Sequence, residues 1–114
     1  MSKHLSVIIP AYNEENRIKG TLEAVYNYFS RQNYSWEVIV VSDGSKDRTV
    51  EVVSEFISNK PEMSLIANTK NNGKGYVVKQ GMLQAQGDFR LFTDADNSTS
   101  IEQIEKIWPY LTEK

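Results

Sequence analysis

The chain alternates between two kinds of hydrophobic pattern, and this alternation constrains its fold more than any other feature. Four short runs rich in β-branched and aromatic residues predict strands, namely LSVIIP (5–10), WEVIVVS (36–42), MSLIAN (63–68) and FRLFTD (89–94). Between these runs the apolar residues recur with helical spacing, which predicts helices over about 14–31, after Ser45, over 74–86 and after Ser100. The predicted order is therefore β-α-β-α-β-α-β-α.

Apolar side chains mark the faces that these helices are expected to bury. The first helix carries one apolar stripe, formed by Ile18, Leu22, Val25, Tyr26 and Phe29. The second repeats the pattern with Val50, Val53, Phe56 and Ile57. Its predicted N-cap is Ser45, with Asp47 in the first turn. The third has four apolar residues available for burial, which are Tyr76, Val77, Met82 and Leu83.

Strands that alternate with helices predict a mostly parallel sheet covered on both faces, which is a three-layer, Rossmann-like α/β fold. The length of 114 residues fits one domain, spanning residues 1–114. In such sheets ligands bind beyond the carboxyl ends of the strands, where the strand order reverses. Four polar segments follow predicted strands, at 10–14, at 42–45, from Asn68 onward and at 94–96. We expect three of the four to meet at one edge of the sheet.

Composition excludes several classes of site and partner. The chain has no Cys and a single His, His4, so thiolate metal sites, cysteine nucleophiles and His-based zinc sites are excluded. Any metal would be a hard cation with oxygen ligands. The formal charge of −2 gives no electrostatic footprint for nucleic acid. No window approaches the ~18 apolar residues of a membrane span, so we expect this chain to be cytoplasmic.

Two aspartates one residue apart, Asp94 and Asp96, follow the fourth predicted strand. Carboxylates so close repel one another, which favours a cation, and Mg²⁺ or Mn²⁺ is held by one or two carboxylates together with substrate phosphates. A calcium loop from Asp94 to Glu105 is the alternative. It has Thr99 where the sharp turn requires Gly, and it follows a predicted strand where an EF-hand requires a helix.

Two further segments carry charged candidates whose roles stay open. Asp43 ends the second predicted strand in SDGS, where its carboxylate can accept hydrogen bonds from a nucleobase edge or ribose, or can belong to a helix N-cap turn. Lys74 lies in NNGKGYVVKQG, where glycines precede a helix and suit an approach to phosphate. That segment matches neither the Walker loop nor the dinucleotide fingerprint. Lys74 can therefore face a phosphate or a uracil oxygen, or be solvated.

Taken together, VIIPAYNEE, VIVVSDGSKDRT, NNGKGYVVKQGMLQAQGD and LFTDAD resemble the nucleotide-sugar-binding half of family 2 glycosyltransferases, which have the GT-A fold. The tail DADNSTSIEQIEKI most resembles the polyprenyl-phosphate sugar transferases of the dolichyl-phosphate glucose and mannose synthase type. The resemblance extends from Leu5 to about Leu111. It rests on the order and spacing of four segments, which is more specific than any one of them.

The resemblance implies a set of substrate-binding residues, namely Pro10, Ala11, Tyr12, Glu14, Asp43, Lys74 and Asp94. The residues at 10–14 would border the nucleobase and ribose, and Asp43 would bind the base edge. Asp94 would approach the ribose, and Asp94 and Asp96 would hold Mg²⁺ or Mn²⁺ against the diphosphate. No catalytic residue is assigned within the chain.

The implied reaction is transfer of a hexose from a donor of the UDP-glucose or GDP-mannose type to polyprenyl phosphate, at the cytosolic face of a membrane in a full-length protein. Catalytic domains of the family are longer than this chain, so we expect a half-domain truncated after Asp-x-Asp that folds but does not turn over. Such a truncation also favours self-association.

Two other functional classes are weighed against the transferase. One is a non-catalytic nucleotide- or calcium-binding α/β module. The other is a receiver-like signalling domain, which needs a phospho-acceptor Asp after the third strand. The segment LIANTK offers no Asp there.

Overall fold

The computed structural model describes residues 5–93. Within them the elements are β1 (Leu5–Ala11), α1 (Ile18–Ser30), β2 (Trp36–Asp43), α2 (Thr49–Ile57), β3 (Met63–Asn68), α3 (Lys74–Gln84) and β4 (Phe89–Phe92). The predicted alternation is confirmed over this range. The helix predicted after Ser100 lies outside the described residues.

The strands form one parallel sheet in the order β3-β2-β1-β4. The chain moves outward from β1 through β2 to β3, and α3 then returns it to β4 on the other side of β1. The strand order therefore reverses between β1 and β4, which is where ligands bind in open α/β sheets. The predicted mostly parallel sheet is confirmed.

Helices cover both faces of the sheet, which confirms the three-layer arrangement. On one face a large cluster of buried residues joins the sheet to α1 and α2, and includes Val7, Ile9, Leu22, Phe29 and Val53. On the other face a smaller cluster joins the sheet to α3 and contains Ile8, Ile39, Val41, Val77 and Ala85. The split follows from the strand geometry, because neighbouring residues of a strand point to opposite faces.

Four of the five residues predicted for the apolar stripe of α1 are buried and the fifth, Tyr26, is half-buried, whereas the burial predicted for α3 is only half right. Val77 is fully buried and Met82 packs against the smaller cluster. Tyr76 and Leu83 are 55% and 76% exposed. The reason is the position of each residue around the helix axis. Val77 and Gly81 are four residues apart and face the sheet. Tyr76 and Leu83 are seven residues apart and lie together on a different side of the helix.

The predicted N-cap of α2 is wrong. The helix begins at Thr49, and Asp47 precedes it and accepts the Thr49 N–H at 2.9 Å. Ser45 lies further back, where its Oγ accepts the N–H of Asn13 and is hydrogen-bonded to the Ser42 hydroxyl. A partner more than thirty residues away has replaced the local capping role that the sequence pattern indicates.

The outer strands of the described sheet are β3 and β4. The expected self-association through an uncovered edge or face stays a prediction. Among residues 5–93, no helix combines the length and the apolar character that crossing a bilayer requires.

Close packing of α3 on β1 makes Gly81 sensitive to substitution. A Cβ at this position would lie 2.7 Å from both Cγ1 and Cγ2 of the buried Ile8. Overpacking of this kind costs about 1–3 kcal/mol, which outweighs the ~1 kcal/mol by which Ala is the better helix former. We therefore expect Gly81→Ala to lower the free energy of unfolding measured by urea denaturation.

Gly75→Ala is the matched control, because Gly75 lies in the same helix with nothing within 4 Å of its added Cβ. It should raise the free energy of unfolding by about 0.4–1 kcal/mol, since it restricts the unfolded chain. Equal stabilisation by both substitutions would show that α3 does not pack on Ile8 as described.

Candidate functional site

Three loops follow the carboxyl ends of β1, β2 and β3 and lie at the same edge of the sheet. The parallel register pairs Ala11 with Ser42 and Asp43 with Asn68, so the three strands end side by side. We call segments 12–15, 44–49 and 69–73 the polar rim. The predicted meeting of segments 10–14 and 42–45 at one edge is thus observed.

Reciprocal hydrogen bonds join the first two loops of the polar rim. The Asn13 N–H donates to Ser45 Oγ at 3.1 Å, and the Lys46 N–H donates to Asn13 Oδ1 at 2.8 Å. The Glu14 N–H donates to Thr49 Oγ1 at 2.8 Å. Asn13 has φ 52°, a left-handed conformation that Asn tolerates better than most residues. These bonds hold the loop after β1 against the start of α2.

Asp47 completes this junction and stays ionised. Its carboxylate accepts hydrogen bonds from the Thr49 hydroxyl, the Thr49 N–H and the Glu15 N–H. Desolvation acts to raise the pKa of Asp47, but these hydrogen bonds, led by the one from the Thr49 hydroxyl, outweigh it and leave the pKa below its ordinary value. The Asp47 carboxylate therefore remains a hydrogen-bond acceptor for this junction at neutral pH.

Asp43 joins the second and third loops of the polar rim. Its side chain is buried, and its Oδ1 accepts the Asn72 N–H at 2.6 Å while its Oδ2 accepts the Gly73 N–H at 2.9 Å. Asp43 does not cap α2, because its two oxygens accept N–H groups of the third loop. Each carboxylate oxygen has a second lone pair, so the Asp43 carboxylate retains the capacity to accept further donors.

The predicted residues at 10–14 occupy different environments. Tyr12 is 41% exposed at the start of the polar rim. Ala11 is packed in the larger core cluster, so its side chain does not border the rim. Glu14 forms an ion pair with Arg17, with Oε1 and Nη2 2.5 Å apart, and Pro10 is half-buried within β1. Tyr12 is thus the most accessible of this group.

Lys74 begins α3 and reaches toward the end of β4. Its Nζ lies 5.2 Å from the centroid of the Phe92 ring, and the Thr93 N–H donates to the Ile8 carbonyl at 3.0 Å. Asp94 and Asp96 come next in the chain and lie outside the described residues. The structure therefore brings Lys74 close to the strand from which the Asp-x-Asp segment continues.

No group of three or more His, Asp or Glu residues that could hold a metal occurs within residues 5–93. The calcium loop predicted as the alternative, from Asp94 to Glu105, also falls beyond that range. The element before it is described, however, and is the strand Phe89–Phe92. An EF-hand requires a helix at this place, so the fold disfavours that alternative.

Sequence reasoning missed several residues that organise the polar rim. Asn13 and Thr49 join the first two loops, and Asn68 and Gln80 form a reciprocal amide pair. An Asn just after a strand is a usable local signal, because Asn is favoured in turns with positive φ. The other contacts join residues that are 12 to 35 positions apart, for which no local pattern exists.

A sequence model of the family described as Glycosyl transferase family 2 matches residues 6–114. The chain belongs to glycosyl transferase family 2. This confirms the resemblance drawn from the four segments.

The relatives that this glycosyl transferase family 2 chain matches are considerably longer than it is. It is 38% identical over 109 residues to a dolichyl-phosphate beta-glucosyltransferase of Trichomonas vaginalis, covering 91% of this chain and 32% of that protein. It is 34% identical over 113 residues to the dolichyl-phosphate beta-glucosyltransferase of Homo sapiens, covering 93% and 35%. The chain therefore spans about a third of the length of these relatives.

Solved structures of glycosyltransferases share the fold. The mannosyltransferase PcManGT from Pyrobaculum calidifontis, in complex with GDP-Man and Mn²⁺, is 30% identical with a TM-score of 0.72, covering 84% of this chain and 28% of that one. S. aureus TarS 1-349 in complex with UDP-GlcNAc is 31% identical with a TM-score of 0.76, covering 96% and 31%. These likenesses confirm the predicted GT-A fold of this family member.

Proposed function

We propose that the polar rim binds a nucleoside diphosphate sugar, and that in a longer protein this domain serves transfer of a hexose to a polyprenyl phosphate. The observation that carries the proposal is the convergence of the β1, β2 and β3 ends, held together by hydrogen bonds, in a chain of this family. The glycosyltransferases of like fold in complex with GDP-Man and with UDP-GlcNAc support the class of donor.

The candidate residues in and beside the polar rim have proposed roles in that complex. Tyr12, an exposed side chain of the first loop, borders the nucleobase, with Pro10 and the backbone of Ala11 behind it and Glu14 toward the ribose. Asp43 accepts a hydrogen bond from the base edge through its remaining lone pairs. This assignment agrees with the burial of Asp43, because hydrogen bonds to a charged group shielded from water are the stronger ones.

Lys74 is proposed to face the diphosphate. Its position near Phe92 supports a phosphate contact over a contact with a uracil oxygen, since the chain continues from there into Asp94. A lysine ammonium is a point charge with three donors and suits phosphate oxygens.

Asp94 and Asp96 are the residues that would hold Mg²⁺ or Mn²⁺, and Asp94 would also approach the ribose. Their chemistry fits the cation, because two carboxylates bind Mg²⁺ or Mn²⁺ when phosphates supply further oxygens. Both follow β4 in the sequence, and Phe92 of that strand lies near Lys74. The Mn²⁺ in the PcManGT complex supports the same assignment. Such a cation, when bound, neutralises charge on the departing diphosphate.

The names of the relatives favour glucose as the hexose and dolichyl phosphate as the acceptor. The acceptor phosphate is already an anion, so little help from a general base is needed. A lipid-linked acceptor also supports a place at the cytosolic face of a membrane for a full-length protein.

Calorimetric titration of the chain with UDP and with GDP, each with and without Mn²⁺, tests donor binding. We expect one nucleotide to bind, and Mn²⁺ to tighten binding by about tenfold, or ~1.4 kcal/mol. The chain carrying Asp96→Asn, which changes a residue proposed to contact only the metal, should keep the metal-independent affinity and lose the effect of Mn²⁺.

No binding of either nucleotide by a chain whose circular dichroism shows an intact fold would contradict the proposal. Calcium binding without nucleotide, abolished by Glu105→Ala, would instead support the calcium-binding module.

A further inference from the structure

The amide side chains of Asn68 and Gln80 form a pair that the proposed chemistry does not use. Asn68 Nδ2 donates to Gln80 Oε1 at 2.8 Å, and Gln80 Nε2 donates to Asn68 Oδ1 at 3.0 Å. Asn68 is the last residue of β3, and Gln80 lies in α3. The pair therefore closes the chain segment that contains the third loop of the polar rim.

This pair lies beside Asp43. In the parallel register Asn68 is the direct partner of Asp43 across β2 and β3. Asp43 and Asn68 hold the third loop at different places. The carboxylate of Asp43 accepts the N–H groups of Asn72 and Gly73 within the loop. The amide of Asn68 is hydrogen-bonded to Gln80 in α3, the helix that follows the loop. A shift of α3 along β3 would carry Asn72 and Gly73 away from the carboxylate.

Apolar packing holds α3 mainly against β1 and β2, through Ile8, Ile39 and Val41, and does less to fix the helix relative to β3. The cluster under α3 is small, and Val77 and Gly81 are the buried residues of the helix. Hydrophobic contacts are non-directional, whereas two antiparallel amide hydrogen bonds require one relative placement of the groups that make them. The α1 face, by contrast, has large interlocking aromatic side chains such as Phe29 stacked on Trp36.

We propose that Asn68 and Gln80 are positioning residues for nucleotide binding. They fix α3 relative to β3, and so hold the Asn72 and Gly73 N–H groups on the carboxylate of Asp43 and keep that carboxylate aimed at the nucleobase. The proposal rests on the proposed function, since it concerns the affinity of the same site. Neither amide needs to touch the nucleotide.

Gln80→Met tests this role, because Met keeps the length of the side chain and removes both hydrogen bonds. Gln84→Met is the matched control, an exposed glutamine one turn further along the same helix. Two measurements are made: amide hydrogen exchange of Asn72 and Gly73 without ligand, and the Kd for the nucleotide that the wild-type chain binds. For Gln80→Met we expect exchange about tenfold faster and Kd roughly 3- to 30-fold higher, with Gln84→Met like wild type.

Each other outcome overturns the proposal. Unchanged affinity in Gln80→Met while the wild type binds removes the positioning role and leaves the proposed function standing. Weaker binding with unchanged exchange at Asn72 and Gly73 would show that the amide pair does not act by holding these N–H groups on Asp43. Absence of nucleotide binding by the wild type ends the proposed function and this role together. Should Gln80→Met fail to fold, Asn68→Ala removes the same pair from the strand side and is judged by the same outcomes.

Discussion

Asp43→Ala is expected to weaken nucleotide binding by about 1–3 kcal/mol, or roughly 5- to 150-fold in Kd. The substitution removes the acceptor proposed for the base edge. It also leaves the Asn72 and Gly73 N–H groups without the carboxylate that each now contacts. The loss therefore combines a missing ligand contact with a loop that is no longer held. Calorimetry with the nucleotide that binds the wild-type chain measures it.

Asp88→Ala is the control for this prediction. It removes an exposed carboxylate just before β4, at the amino end of the parallel sheet and so opposite the polar rim. It changes net charge by the same amount and should leave Kd unchanged. If Asp43→Ala folds and binds nucleotide as tightly as wild type, Asp43 holds the loop without contributing to binding.

Gly44→Ala is expected to have the largest effect on stability in the polar rim. Gly44 has φ 72°, and an added Cβ would lie 2.5 Å from the carbonyl carbon and 2.9 Å from the oxygen of Lys70, and 2.6 Å from the nitrogen of Asn71. These are backbone atoms, which cannot rotate away as a side chain does. Left-handed strain of about 1–2 kcal/mol adds to overpacking of about 1–3 kcal/mol.

The third loop must therefore move in Gly44→Ala, which would take its N–H groups away from Asp43. We expect the free energy of unfolding in urea to fall by about 2–5 kcal/mol and nucleotide affinity to fall with it. Gly73→Ala is the control that has backbone strain without a steric clash. Gly73 also has a positive φ, 96°, but nothing lies within 4 Å of an added Cβ. If Gly44→Ala is no more destabilising than Gly73→Ala, the contact between Gly44 and the third loop is not as described.

Local pattern predicted most of the fold. The strand runs differ from the observed strands by two residues or fewer at each end, because β-branched runs bounded by polar residues have few other stable conformations. The same reasoning failed for Tyr76 and Leu83. Apolar character predicts burial only where a facing surface exists, and α3 meets the described sheet through Val77 and Gly81 instead.

The candidate site was predicted less completely than the fold. Pattern placed Tyr12 and Asp43 after neighbouring strands, which is sufficient to bring them to one edge of a parallel sheet. It did not predict that Asn13, Ser45 and Thr49 join two loops, and it assigned Ser45 to a helix cap. The roles proposed for Asp94 and Asp96 rest on the sequence and on the family, since both lie beyond the described residues.

The sequence by itself determined which segments become strands and helices, because hydrophobic period and turn chemistry act between residues close along the chain. It also determined the family, through four ordered segments whose spacing is readable without coordinates. Only the tertiary structure decided what the carboxylate of Asp43 binds and what Gly44 touches. Their partners are backbone atoms of Lys70, Asn71, Asn72 and Gly73, and backbone groups are the same at every residue, so nothing in a side-chain pattern could identify them.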